Sequence, residues 1–183
     1  MSLLKPLAWL AFFGVMAFDI YQVIDLKVLQ HMPGSMLGLE FMSKTEGLAQ
    51  IREWADFRTD HWTTALHEAR LNTRWDFVFI FGYVSVLIFV SYGQMQRESR
   101  FWLNALLRLS FPLIILAGLL DCTENIILLG DMARYNVGHY YLSSFPVSLP
   151  KWVLAGWVVL VWLFSVVTAP RRTSIIFSPN PIL

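Results

Sequence analysis

Four long apolar segments dominate this sequence of 183 residues and limit the folds that it can adopt. They cover about 6–26, 75–92, 103–129 and 152–169. An α-helix needs roughly 20 mostly apolar residues to cross about 30 Å of hydrocarbon, and each segment comes close to that length or exceeds it. Only 15% of the residues are charged, against about 25% in soluble domains. The sequence therefore predicts an all-α integral membrane four-helix bundle that forms a single domain over 1–183.

The first segment raises the question of a signal peptide. It follows Lys5 and has the charge and the apolar run of one. No small-x-small cleavage site comes after the run, and the chain continues through Asp19 to Asp25. We therefore expect an uncleaved first span.

The long connection between the first two segments contains a helix signal. Ser43 is followed three residues later by Glu46, as a capping box requires. Apolar residues then recur at roughly helical spacing: Leu48, Ile51, Ala55, Trp62, Leu66 and Ala69. This pattern predicts an amphipathic helix over about 43–71 in the first extracytoplasmic loop, lying on the membrane surface or packed over the span ends.

The distribution of basic residues predicts the orientation. Lys5, the pair Arg97 and Arg100, and the pair Arg171 and Arg172 all fall on one face of a four-span bundle. Basic residues concentrate on the cytoplasmic side, so we expect both termini in the cytoplasm. The net charge is +1 with no basic arm, which gives no indication of nucleic-acid binding.

Acidic residues inside or beside the spans form the candidate site. With this orientation, Asp19, Asp76, Asp121 and Glu124 all lie towards the outer face. Asp121 and Glu124 are three residues apart and share one helix face. A carboxylate within the bilayer costs a few kcal/mol, so such residues usually face the bundle interior and mark a functional site. We expect the four to form an outer-facing acidic pocket that binds or processes a lipid, an amphiphile or a cation.

A divalent metal ion is a weaker interpretation of the same pocket. The histidines His61, His67 and His139 fall in the outer loops and are weak candidate ligands. No HxxxH or HExxH spacing supports them, and His61 and His67 are six residues apart, which does not place them on one helix face. The cofactor therefore stays open, and so does the choice between binding alone and acid–base chemistry on a lipid headgroup.

Two structural interpretations compete with a functional pocket. The acids can pair with Arg70, Arg74 or Arg134 and simply fix the helix packing, as buried polar groups in membrane helices often do. The chain can also be a non-catalytic accessory or assembly subunit that presents apolar faces to partner membrane subunits. Close helix approach is expected at glycines within the spans, namely Gly14, Gly82, Gly118 and Gly156.

Overall fold

The computed structural model describes residues 34–59, 63–137 and 141–168. Within these residues the chain is all-α, as predicted. Its helices in chain order are α1 Met36–Phe41, α2 Lys44–Asp56, α3 Ala65–Met95, α4 Phe101–Arg134 and α5 Phe145–Val167. The three last helices are long and apolar enough to cross a membrane, and they contain the second, third and most of the fourth predicted spans. The predicted first span, 6–26, lies outside the described residues.

Helix α4 is the centre of the packing. It lies along both α3 and α5, which contact each other much less. The buried residues of α4, among them Leu107, Ile114 and Leu128, recur every three or four positions and form one face. The opposite face exposes Leu109, Ile115 and Leu119, as expected of a helix that has lipid on one side.

Close approach between α3 and α4 occurs at Gly118, as the sequence predicted. A Cβ atom at this position would lie 2.7 Å from Cγ2 of Val84, closer than side chains can normally approach. The absence of a side chain therefore lets the two backbones come together. Gly156 of α5 differs, because a Cβ there would meet open space.

The connection before α3 forms a cap over one end of the long helices. Its centre is Trp54, which is fully buried. The cap core joins residues of α1, α2, α3, α4 and the α4–α5 connection: Leu39, Ile51, Trp54, Ala65, Leu66, Ala69, Leu128, Met132 and Tyr141. Of the two placements expected for this stretch, packing over the span ends is the one observed.

The capping box at the start of α2 is confirmed. The N–H of Glu46 reaches Oγ of Ser43, and the N–H of Ser43 donates to Oε2 of Glu46. The hydrogen bonds from Ser43 lower the pKa of Glu46. The two reciprocal hydrogen bonds of the capping box therefore stabilise the first turn of α2.

The stretch 43–71 is divided, whereas the sequence pattern predicted one helix. Helix α2 ends at Asp56, and α3 begins at Ala65 with Thr64 as its N-cap. The side chain of Thr64 accepts a hydrogen bond from the N–H of His67, and the N–H of Ala65 donates to the carbonyl of Phe57 at 3.0 Å. A threonine cap therefore starts a new helix where the apolar spacing alone indicated continuity.

Both helices beside the α4–α5 connection are longer than predicted. α4 continues to Arg134, and α5 begins at Phe145 although Pro146 and Pro150 follow. Pro146 falls in the first turn, where a backbone N–H has no intrahelical acceptor, so it costs no hydrogen bond. α4 also runs through Pro112 as one element.

A polar layer joins the three long helices at the end opposite the cap. Glu98 is buried between α3 and α4, and it accepts hydrogen bonds from the guanidinium of Arg100 at 2.8 and 2.7 Å. Ser165 of α5 donates to the same carboxylate at 2.9 Å and accepts from Gln94 of α3 at 3.0 Å. These bonds, led by those from Arg100, lower the pKa of Glu98 to about 2.

We predict that Gly118→Ala destabilises the protein, whereas Gly156→Ala does not. The new methyl group at position 118 pushes against Val84 and should cost about 1–3 kcal/mol. At position 156 the methyl group meets open space, and the higher helix propensity of alanine should give a small gain of at most about 1 kcal/mol. Thermal unfolding of both purified variants in detergent measures the difference. Equal melting temperatures would contradict the close α3–α4 approach.

We also predict an acid-sensitive contribution from Glu98. Its folded pKa of about 2 lies below the ordinary value of 4.5, so its contribution is complete above about pH 4.5 and is lost as the pH falls towards 2. The melting temperature should therefore fall more steeply below pH 4.5 in the native protein than in Glu98→Gln. Asp56→Asn, at an exposed carboxylate, is the control and should keep the native slope. If the melting temperature of Glu98→Gln fell with pH as steeply as that of the native protein, ionised Glu98 would not be the source of the acid sensitivity.

Candidate functional site: carboxylates around Lys151

Lys151 of α5 is the centre of the buried charges near the cap. Its side chain is 7% exposed. The ammonium nitrogen lies 2.8 Å from Oε2 of Glu124, 3.0 Å from Oδ1 of Asp121 and 3.5 Å from Oε2 of Glu40. It also lies 5.0 Å from the centre of the Trp152 ring. One ammonium therefore contacts carboxylates from two other helices.

The helices bring these carboxylates together in a simple way. Asp121 and Glu124 are three residues apart, so both project from the buried face of α4 towards α5. Glu40 is near the end of the short helix α1, and the indole N–H of Trp152 donates to its Oε2 at 3.2 Å. The ion pairs thus connect the cap to both α4 and α5.

Helix α3 meets α4 beside these ion pairs through two hydrogen bonds whose donors are neutral groups. The hydroxyl of Tyr83 donates to Oδ2 of Asp121 at 2.9 Å. Asn125 of α4 donates from its amide to Oδ2 of Asp76 at 2.6 Å. Asp76 is partly buried and makes no ion pair among the described residues. We call Glu40, Asp76, Asp121, Glu124 and Lys151 the acidic cluster.

The acidic cluster contains four carboxyl groups and one ammonium group. The buried members are shielded from bulk water, since Glu124 is 1% exposed and Asp121 is 7% exposed. An uncompensated buried charge costs several kcal/mol, so the excess negative charge must be met by protons or by another cation. The arrangement can therefore hold a second positive group or a proton beside Lys151.

The network is also continuous enough to share a proton. Tyr83 is bonded to Asp121, Asp121 contacts Lys151, and Lys151 contacts Glu124. Every step is within hydrogen-bonding distance, so a proton gained by one member can redistribute among the others.

The structure places three of the four acids singled out in the sequence close together. Asp121 and Glu124 both contact Lys151, and Asp76 of α3 is bonded to Asn125, the residue after Glu124 in α4. Asp19 lies outside the described residues. The alternative pairing of these acids with Arg70 is not among the described contacts, in which Arg70 donates to the carbonyl of Met132.

Sequence reasoning missed Lys151, Glu40 and Tyr83. Lys151 lies just before the predicted fourth span, 152–169, and follows Pro146 and Pro150, so the sequence pattern assigned it no place inside the bundle. A signal was present, since Lys151 stands next to Trp152 just as Asp76 stands next to Trp75. A charged residue beside an interfacial tryptophan can point inward while the indole faces the headgroups.

The candidate metal ligands are not gathered at the cluster in the described residues. His67 is exposed in the first turn of α3. His61 and His139 lie outside the described residues. No group of three or more histidine, cysteine, aspartate or glutamate side chains suited to a metal ion is found in the part of the chain that the structure describes.

Comparisons with protein-family models, curated proteins and solved structures found no match to this chain.

We predict that Lys151→Met strongly destabilises the protein and that a second change partly reverses the loss. Removing the ammonium leaves three carboxylates without their cation, which should cost about 3–5 kcal/mol. Adding Glu124→Gln removes one buried charge and should recover part of that loss. Lys44→Met, at an exposed lysine of α2, is the matched control and should be near neutral.

Equilibrium unfolding in mixed micelles gives the free energy of unfolding of the native protein, Lys151→Met, the double variant and Lys44→Met. A double variant that is less stable than Lys151→Met would contradict the assigned ion pair between Lys151 and Glu124.

Proposed function

We propose that this chain is a four-span membrane protein that binds a cationic group in the acidic cluster, on the membrane face that carries the cap. The ligand class is the ammonium headgroup of an amphiphile or lipid, or a free cation. The single observation that carries the proposal is the ratio of four carboxyl groups to one ammonium group at a largely buried site. The predicted cytoplasmic termini would make this the outer face.

The contacts of Lys151 support an ammonium as the group that the acidic cluster binds. Three carboxylates already surround its nitrogen at 2.8–3.5 Å, which are ordinary distances for charge-assisted contacts. A second ammonium would meet the same kind of partners. The low dielectric of the surroundings would strengthen the attraction relative to water.

Asp76 offers the accessible side of the cluster. It is partly buried rather than enclosed, and its described contact is to a neutral amide. Trp75, next to Asp76, and Trp152, next to Lys151, are both about half exposed, as is typical of residues at the level of lipid headgroups. An amphiphile lying in the bilayer would therefore present its headgroup at the depth of Asp76.

The alternative is a non-catalytic accessory or assembly subunit. It is favoured by the internal pairing of Asp121 and Glu124 with Lys151, which can serve helix packing alone. The wide apolar faces of α3, α4 and α5 would then contact partner helices. Purification in a mild detergent separates the two: stoichiometric larger subunits favour the alternative, and a lone protein favours the binding site.

We predict that a long-chain amine stabilises the purified protein through Asp76. Dodecylamine in dodecyl maltoside micelles should raise the melting temperature, whereas dodecanol of equal chain length should not. Asp76→Asn should remove most of the amine effect, since the amine loses the accessible carboxylate. Asp56→Asn, at an exposed carboxylate in the cap, should keep it.

The same melting-temperature measurement is repeated with magnesium or calcium chloride in place of dodecylamine. Stabilisation by the divalent ion but not by the amine would identify a free cation as the ligand class. An equal response of native protein and Asp76→Asn to every probe would contradict the proposed function.

A further inference from the structure

Arg108 is a charged residue on the apolar, exposed side of a helix long enough to cross a membrane. It shares the exposed face of α4 with Phe101, Leu109 and Ile115. A charged side chain against lipid is costly unless it finds a partner or reaches the interface. The packing of α4 on its neighbours does not use this side chain, so its position points to a partner outside the bundle.

The guanidinium of Arg108 turns back towards the end of the bundle opposite the cap. Its Nε donates to Oδ1 of Asn104, one helical turn closer to the start of α4, at 2.9 Å. Asn104 belongs to the polar layer, because its amide donates to the carbonyls of Met95 and Glu98. An arginine stem commonly lies along apolar surface in this way while its charge reaches headgroup depth. The bond to Asn104 thus fixes the direction in which the guanidinium points.

The two terminal nitrogens of Arg108 carry four N–H donors. None of these donors has a partner within the described residues 34–59, 63–137 and 141–168. Glu98, the acid of the polar layer, is already bonded to Arg100 and Ser165. A guanidinium that is free at headgroup depth favours a phosphate, which it can bind through two parallel hydrogen bonds.

The net charge at this end also favours an anion. The described residues 94–108 and 161–168 contain three arginines and one carboxylate. Arg100 is paired with Glu98 at 2.7 Å. Arg97 is exposed in the connection between α3 and α4 and makes no ion pair in the described part of the chain. Arg97 and Arg108 therefore leave two positive charges, which match the charge of a phosphate monoester.

Pro112 adds a hydrogen-bond acceptor on the same face. It is exposed and lies one turn further into the apolar zone than Arg108. Proline has no N–H, so the carbonyl of Arg108 lacks the donor that an α-helix supplies four residues later. An unsatisfied carbonyl in hydrocarbon is costly, and an O–H or N–H group of a lipid can satisfy it.

The phosphate and this donor must lie in a fixed order along the helix. The carbonyl of Arg108 points towards the C-terminus of α4, because helical carbonyls face the N–H groups that follow them. Its side chain runs towards the N-terminus, as the bond to Asn104 shows. The donor of a matching lipid therefore lies on the acyl-chain side of its phosphate.

We propose that the exposed face of α4 around Arg108 binds a phospholipid with a hydrogen-bond donor between its phosphate and its chains. The guanidinium holds the phosphate, and the carbonyl of Arg108 accepts from the donor. A lysophospholipid has this donor in its free glycerol hydroxyl, and a phosphosphingolipid has it in its amide and hydroxyl groups. A diacyl phospholipid has only ester oxygens there, which are acceptors. This site lies at the opposite end of the long helices from the acidic cluster and goes beyond the proposed function.

Native mass spectrometry of the detergent-solubilised protein tests the site with two matched pairs of lipids. Ceramide phosphate is compared with phosphatidic acid, and lysophosphatidic acid with its deoxy analogue, which lacks the hydroxyl. Each pair has the same phosphate and the same number of chains, and only the first member has the donor. The donor lipid should bind about fivefold more tightly in at least one pair, as expected for one additional hydrogen bond. The pair that shows the preference identifies a phosphosphingolipid or a lysophospholipid as the source.

Two variants separate the parts of the site. Arg108→Gln should weaken the binding of all four lipids about tenfold, since the phosphate loses its charged donor. Pro112→Ala returns the missing N–H to the carbonyl of Arg108, so it should abolish the preference for the donor lipid and keep the affinity for phosphatidic acid. Arg52→Gln, at an exposed arginine of α2 in the cap, is the matched control and should bind like the native protein.

Three results would overturn the proposal. They are equal binding within both lipid pairs in the native protein, equal losses in Arg108→Gln and Arg52→Gln, and displacement of the bound lipid by inorganic phosphate. If Arg108→Gln gives too little folded protein, Arg108→Lys replaces it and should weaken binding about threefold, because a lysine keeps the charge but not the planar fork.

Failure of this site is distinguishable from failure of the proposed function. None of the variants changes the acidic cluster, so the dodecylamine response should persist in all of them. Loss of that response in the native protein would refute the cation site and leave the lipid result standing.

Discussion

The contacts of the Lys151 ammonium with Asp121, Glu124 and Glu40 are the interaction on which the cap end of the fold depends. Asp121 and Glu124 can lie on the buried face of α4 only because a cation from α5 meets them there. The same ammonium reaches Glu40 and so connects the cap to the long helices. Removing it would leave several buried carboxylates facing one another.

A second polar layer, around Glu98 and Ser165, sits at the other end of the long helices. Asn104 of α4 belongs to this layer, because its amide donates to the carbonyl of Glu98 at 3.2 Å. Along α4, Asn104 and Asp121 are about 25 Å apart at the helical rise of 1.5 Å per residue. This is close to the thickness of bilayer hydrocarbon. The two layers therefore bracket an apolar zone in which α3, α4 and α5 expose mostly aliphatic and aromatic side chains. The acidic cluster lies at one end of this zone, and Asp76 is partly exposed there.

The sequence predicted the parts of the fold that follow from local pattern. Three apolar segments became helices, Ser43 and Glu46 formed their capping box, and Gly118 proved to be a point of close approach. The spacing of Asp121 and Glu124 correctly placed both on one buried face. Their cation was not predictable in the same way, because Lys151 is distant in sequence and follows two prolines. The start of α3 at Ala65 was missed because the N-cap of Thr64 depends on a single side-chain bond.

The most direct test of the central claim is solid-state NMR of the protein in lipid bilayers with ¹⁵N-labelled lysine. The chain has only four lysines, so the ammonium signal of Lys151 can be assigned by its loss in Lys151→Met. Strong dipolar coupling of that nitrogen to the ¹³C-labelled carboxyl groups of Asp121 and Glu124 is the predicted result. A mobile, hydrated ammonium without coupling to either carboxyl group would contradict the account.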